Sequence, residues 1–466
     1  MVDQRLKELR GPGRREFLRW SATVAACLGL ERARFLNVLG DTAGVAAADT
    51  AACANTNRLI SIVDGNGGLS NWTQIFPIQK VISSTNAQYS HYALGKGIAA
   101  TGYDKAGYMY APDSPWQAAG SKWKVSAFVA GNNETHTAAP STAISLGPNG
   151  MLASAAAIQQ ANPTLLPVLA VGGIQFGAAP GAPAVAAVGA ANQLVDLFNS
   201  AASRALLQQP ANGGLAEAYY KAFIGLNAAA GRTTIAKQYG TGKVSMNLLS
   251  KNLSAQLTPT PADQALLGLT GTSPGAVTQM GNAMITTVKA FSLGLTSMLV
   301  MRGFNNDPHG MFANGDAMAQ ATAMAMGKML DGIYNLAKAQ QDPSCSAKTL
   351  ADSIVMSVSG DTYKAPFNRN GWGDGTQNGS NLLYVMGNGH LKSGWFGDLD
   401  PTNGAVGWDQ TTGVASGSYN GRGAELGASA SAALLYAVSK GDARRVSDFY
   451  NGKALGEGVV NLNVTG

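Results

Sequence analysis

Charge is scarce in this 466-residue chain, with Asp, Glu, Lys and Arg together at 13%. With 45% apolar residues alongside, so little charge excludes a polyelectrolyte or a disordered chain. Long uninterrupted apolar runs are also missing, and the mean hydropathy is +0.00, which argues against a bundle of membrane-spanning helices. There is no dense basic face: residues 1–48 carry 8 Lys/Arg against 5 Asp/Glu, leaving 25 against 22 in the remainder of a chain whose net charge is +6. Cations so dispersed, without interleaved aromatics, exclude nucleic acid as a partner. Histidine is rarest of all, at His91, His136, His309 and His390, so any mechanism that gathers several imidazoles must draw on these four. What remains is a globular body long enough for one large domain or two to three ordinary ones.

The N-terminal residues carry an address. Gly13-Arg14-Arg15-Glu16-Phe17-Leu18-Arg19 precedes an uncharged apolar run from Trp20 to Leu30, and a small-residue stretch follows at Ala43-Gly44-Val45-Ala46-Ala47-Ala48. The pattern resembles a twin-arginine export signal with an A-x-A-like cleavage site, which predicts a leader at 1–48 and a periplasmic or extracellular mature chain at 49–466. The mature chain is expected to have no transmembrane anchor. It keeps Cys53 and Cys345, which leaves two readings open: one disulfide to the Asp342-Pro343-Ser344 loop, or two independent thiols.

Along the mature chain, β-branched runs alternate with helical periodicity. Residues 58–64 (RLISIVD) read as a buried strand ending in Asp64, followed by the turn Gly65-Asn66-Gly67-Gly68. Further strands are predicted at 124–129, 296–301, 353–358 and 382–386. Helical spacing marks 188–230 and 277–294, about 316–340 and about 426–439. Met318, Met329, Ile333 and Leu336 are expected on one core-facing helix side. From Thr135 to Val195 there is no Asp, Glu, Lys or Arg, a stretch for which burial is the expected explanation. The alternation predicts an α/β three-layer sandwich with a mostly parallel sheet and a helical insertion at about 188–294.

Chemistry concentrates in a few loops. Gly303-Phe304-Asn305-Asn306-Asp307-Pro308-His309-Gly310 follows a predicted strand, and a carboxylate and an imidazole two residues apart can reach one divalent cation. Thr135, His136 and Thr137 follow another strand and are the candidate catalytic residues. Asp398, Asp400, Thr402 and Asp409 fall at calcium-loop offsets, but Asn403 stands where the sharp turn requires glycine.

A strand ending in Asp before Gly/Asn, the Gly-Phe…Asp-x-His-Gly loop before a long helix, a strand followed by Ser-x-x-Gly-x-Thr, and a Gly-Thr-x-x-Gly loop before a strand occur in order. This arrangement resembles the bacterial twin-arginine-exported domain-of-unknown-function 1501 family, which has an alkaline phosphatase and sulfatase-like fold. The resemblance spans residues 58 to about 450 and implies phosphate or sulfate ester cleavage at a two-metal site by a Ser or Thr nucleophile. It assigns Asp64, Asp307 and His309 as metal ligands, for zinc, manganese or calcium. The departures matter as much. The family's S-E-F-G-R-T reads Ser357-Val358-Ser359-Gly360-Asp361-Thr362 here, and its G-T-D-H-G reads Gly375-Thr376-Gln377-Asn378-Gly379. A valine and two neutral amides cannot hold two dications. Three expectations follow: an exported protein with a degraded metal site and a noncatalytic binding or assembly role; an ester hydrolase with a reduced one-metal site; or a self-associating surface or matrix protein, in which the uncharged stretch meets other copies as a homo-oligomer.

Overall fold

The computed structural model describes residues 53, 55–76, 123–132, 144–162, 164–198, 225, 253–305, 307, 317–364, 380–387, 389–400, 404–462 and 464. Its centre is an eight-stranded sheet of β1 (Arg58–Gly65), β2 (Lys124–Asn132), β3 (Leu166–Val171), β4 (Val185–Val188), β5 (Thr296–Asn305), β6 (Ile354–Gly360), β7 (Ser380–Gly387) and β8 (Gly394–Phe396). The strand order is β8-β2-β7-β6-β1-β5-β3-β4. Strand β1 pairs in parallel with both β6 and β5, and β3 pairs in parallel with β5 and β4. Strand β7 alone is reversed, lying antiparallel to both β6 and β2. The protein is thus mixed α/β with a large, mainly parallel sheet.

Every residue of β1 is buried, which is why it reads as a continuous β-branched run and not as an alternating one. The hydroxyls of Ser61 and Ser357, on neighbouring central strands, satisfy each other at 3.0 Å. Helices pack on the sheet as two groups, an arrangement compatible with three layers. One group contains α1 (Ser70–Ile75), α4 (Gly275–Ser292) and α5 (Ala317–Lys338), with α4 packed on β5 and on α5. The other joins α2 (Met151–Ile158) to α6 (Ala424–Val438), and α6 packs on β2. Helix α3 (Asn192–Phe198) and two short helices, Leu253–Leu257 and Pro261–Leu266, lie beside α4. In α5 a Cβ at Gly332 would sit 2.5 Å from the Leu266 carbonyl oxygen, so glycine sets the approach of the short helix.

Two sequence expectations need correction. On α5, Met329, Ile333 and Leu336 are buried, but Met318 is 62% exposed, because the helix's first turn lies beyond the surface that the others cover. The uncharged stretch is buried through most of 144–171, yet 172–193 lies at least partly exposed at the surface. Strand β4 is the last in the sheet order, so it lacks the second covering neighbour that burial requires. Of the helical segment expected at 188–230, Asn192–Phe198 is helix; 199–224 and 226–230 lie outside the described residues. The final part of the expected insertion is α4, which covers the sheet directly. Among the described residues no helix is long and apolar enough to cross a membrane.

The end of the sheet where β1 begins is fastened covalently and electrostatically. Cys53 and Cys345 form a disulfide across 292 residues of sequence. Beside it the Arg58 guanidinium meets Asp342 at 2.9 Å, with both side chains almost fully buried. Burial alone would push the Asp342 carboxyl up, but the Arg58 charge and hydrogen bonds from Ser344 and Ser353 hold it below its usual range. Cross-linking so long a loop restricts the unfolded chain, and reducing the bond is expected to cost about 2–5 kcal/mol. Thermal melts with and without reductant, and of Cys345→Ser, read this directly. Identical midpoints would mean that the bond contributes nothing.

Candidate functional site

Strands β1, β3, β5 and β6 point the same way, so their C-terminal ends lie along one edge of the sheet, where ligands of open α/β folds bind. Asp64 is the penultimate residue of β1, Asn305 ends β5 and Asp361 directly follows β6. Asp64 is fully buried, and its Oδ1 accepts a hydrogen bond from the Phe304 backbone N–H on the neighbouring strand. The β1–β5 register shifts between Val63 and Gly65, and this irregularity brings that N–H onto the side chain. The contact is close enough to dictate sequence. A Cβ at Gly303 would fall 2.2 Å from Asp64 Oδ1, and one at Gly68 would fall 2.4 Å from the Phe304 carbonyl oxygen.

The loop after Asp64 turns through Asn66 and Gly67, both at positive φ. Asp361 holds this loop, its Oδ1 accepting from Gly67 N–H at 3.0 Å and Thr362 N–H at 2.7 Å. Asn381 Nδ2 donates to the Gly360 carbonyl at 2.7 Å and fixes the end of β6. Lys364, at φ 59° and with its side chain fully buried, sends its ammonium to within 3.5 Å of Asp307 Oδ1.

Burial is the main force on the Asp64 carboxyl and pushes it well above its ordinary value; the negative charge of Asp361 adds to this. The Phe304 N–H opposes the shift, as does the Trp72 indole N–H, which lies nearby without forming a hydrogen bond of normal geometry. The second oxygen, Oδ2, is buried and has no hydrogen-bond partner among the described residues.

Of the residues proposed from sequence, Asp64 and Asp307 belong to this edge: Asp64 is sealed in, while Asp307 is exposed and paired with Lys364. His309, Thr135, His136 and Thr137 lie outside the described residues. Val358 is fully buried within β6. Among the described residues no three His, Cys, Asp or Glu side chains converge as metal ligands. His390 is buried, and burial first, then the charges of Lys440 and Lys348, hold its imidazole down to about 4, so it is neutral at physiological pH. Asp398 and Asp400 lie on a hairpin strand, and Asp409 is bound to Lys453 at 2.7 Å and to backbone N–H groups of Thr411 and Thr412, while Thr402 and Asn403 lie outside the described residues.

Sequence reasoning passed over Asp361 and Lys364. Asp361 had a usable signal, since like Asp64 it follows a buried β-branched strand with a glycine beside it. Lys364 had none, because its burial depends on contacts distant in sequence. Next to Asp64, on the β3 side, the same edge opens into a cleft of about 1020 Å³ bounded by the ends of β3 and β5 and by α3 and α4. Comparison with family models, with curated proteins and with solved structures finds no match to this chain.

The raised carboxyl has a consequence for stability. The folded protein holds a proton that the unfolded chain releases at the ordinary value of 3.8, so the stability linked to Asp64 falls as pH rises from there through the raised folded value. Asp64→Asn keeps an oxygen for Phe304 and has no proton to lose. Its melting midpoint is expected to gain on the parent as pH rises above the ordinary value of 3.8. A gap that stays constant or shrinks would show that the carboxyl is ionised in the folded state.

Proposed function

We propose that this chain is an exported, noncatalytic protein of the alkaline phosphatase-like α/β architecture, in which the inherited metal-site edge secures the fold and the neighbouring cleft serves binding or assembly. Export to the periplasm or beyond rests on the twin arginines Arg14 and Arg15 and the apolar run after them. The observation that carries the noncatalytic reading is the setting of Asp64. A metal ligand must be open on one side, whereas this carboxyl is buried, bound through Oδ1 to the Phe304 N–H and closed over by the Gly303–Phe304 backbone. The apolar Val358, at the position where the family carries an acid, supports the same reading.

A second reading is favoured by one observation, the unpartnered Oδ2 of Asp64 with the Asp361 charge nearby. A pair of carboxylates with a vacant lone pair is the remnant expected of a reduced one-metal hydrolase using Asp64, Asp307 and His309.

Elemental analysis of the purified exported protein, with aryl phosphate and aryl sulfate assays on the same sample, decides between them. The first reading expects well under one equivalent of zinc, manganese or calcium and no turnover when these ions are added. About one or two equivalents, with hydrolysis that Asp64→Ala abolishes, would overturn it.

A further inference from the structure

We propose that the cleft beside Asp64 binds a short acidic glycan of the uronate class, with a carboxylate of the ligand on Arg302. This deepens the binding reading above and rests on it. The argument starts from what the described wall contains and what it omits. Arg302 is its one charged side chain; no carboxylate, imidazole or aromatic ring joins it. A wall with no anion gives a cationic ligand no partner, and a wall with no ring offers a nucleobase nothing to stack on.

Arg302 is positioned to act. Its Nη2 donates to the Gly173 carbonyl at 3.0 Å, which anchors the guanidinium at the end of β3 and leaves other N–H groups for a planar, bidentate partner. A carboxylate has that geometry. The first turn of α4 reinforces the sign of the site: Gly275 and Ala276 line the cleft, and Pro274 before them supplies no side-chain cap for their N–H groups.

The remaining polar wall is made of amides. Gln264 Nε2 donates to Asn282 Oδ1 at 2.9 Å, which orients both, and Gln279 lies on the same side of α4. Asn305 lines the same cleft. Amides both donate and accept, as hydroxyl groups do, so they suit a polyhydroxylated body. The volume of about 1020 Å³ stands at the upper end of the range that drug-sized ligands fill, so it holds more than one sugar ring.

The test is calorimetric titration of the full purified protein with three probes: a galacturonic acid trimer, its methyl ester and inorganic phosphate. The acid is expected to bind, and esterification to weaken it about tenfold or more, as loss of a charge-assisted pair requires. Arg302→Gln should produce a similar loss. Asn282→Ala, which leaves the guanidinium in place, should weaken the acid and its ester alike. Ester and acid binding equally, or neither binding, would overturn the proposal, as would phosphate binding as tightly as the trimer. Ester hydrolysis in the earlier assay would undo the noncatalytic reading and leave a bound glycan standing. A folded, inactive protein that ignores the trimer would remove this inference alone.

Discussion

A carboxyl group taken out of water must give up its charge, find a cation or be held by donors, and at Asp64 it is held by the Phe304 N–H while burial pushes it above its ordinary value. Much of the edge follows from that contact. It joins the last residues of β1 to β5 where their ladder is irregular, and it allows no side chain at Gly303 or Gly68. It also places the turn of Gly65 to Gly67 where Asp361 can hold it. Two acids in adjoining strand ends, which a metalloenzyme would keep ionised around a cation, instead serve as acceptors for backbone N–H groups.

The two ends of the sheet are secured by different chemistry. Where β1 begins, the Cys53–Cys345 disulfide and the buried Arg58–Asp342 pair bind chain segments nearly 300 residues apart in sequence. Where β1 ends, carboxyl groups accepting from backbone N–H groups do the work. A buried ion pair often adds little net stability over an apolar pair of the same shape, whereas removing one partner is costly. With both ends held, the open cleft at the β3 and β5 side can be lined with glycines and amides that contribute little to the core.

The sheet was largely legible in the sequence because buried parallel strands leave a simple mark. The β-branched runs at 58–64 and 353–358 lie within one residue of β1 and β6 at their starts, and the strand at 382–386 falls inside β7. The reversal of β7 left no such mark, since direction depends on pairing and not on composition. Burial of 172–193 was misjudged for a related reason. A lack of charge says that a segment tolerates burial, but only its place at the end of the strand order decides whether it is covered. At the site, the pattern marked Asp64 but could not say that it is capped by a backbone N–H. Nor could it pair Lys364 with Asp307, because both facts arise from strands brought together by the fold.

The central claim is that the Asp64 carboxyl closes the strand edge on the Phe304 N–H and is not a metal ligand. The most direct measurement is a crystal structure of the exported protein grown with zinc or manganese, with anomalous data collected at the metal edge. The account predicts the Asp64 carboxyl on the Phe304 N–H and no anomalous density against either of its oxygens. Density bridging Asp64 to Asp361 or to His309, with the Phe304 contact broken, would contradict it.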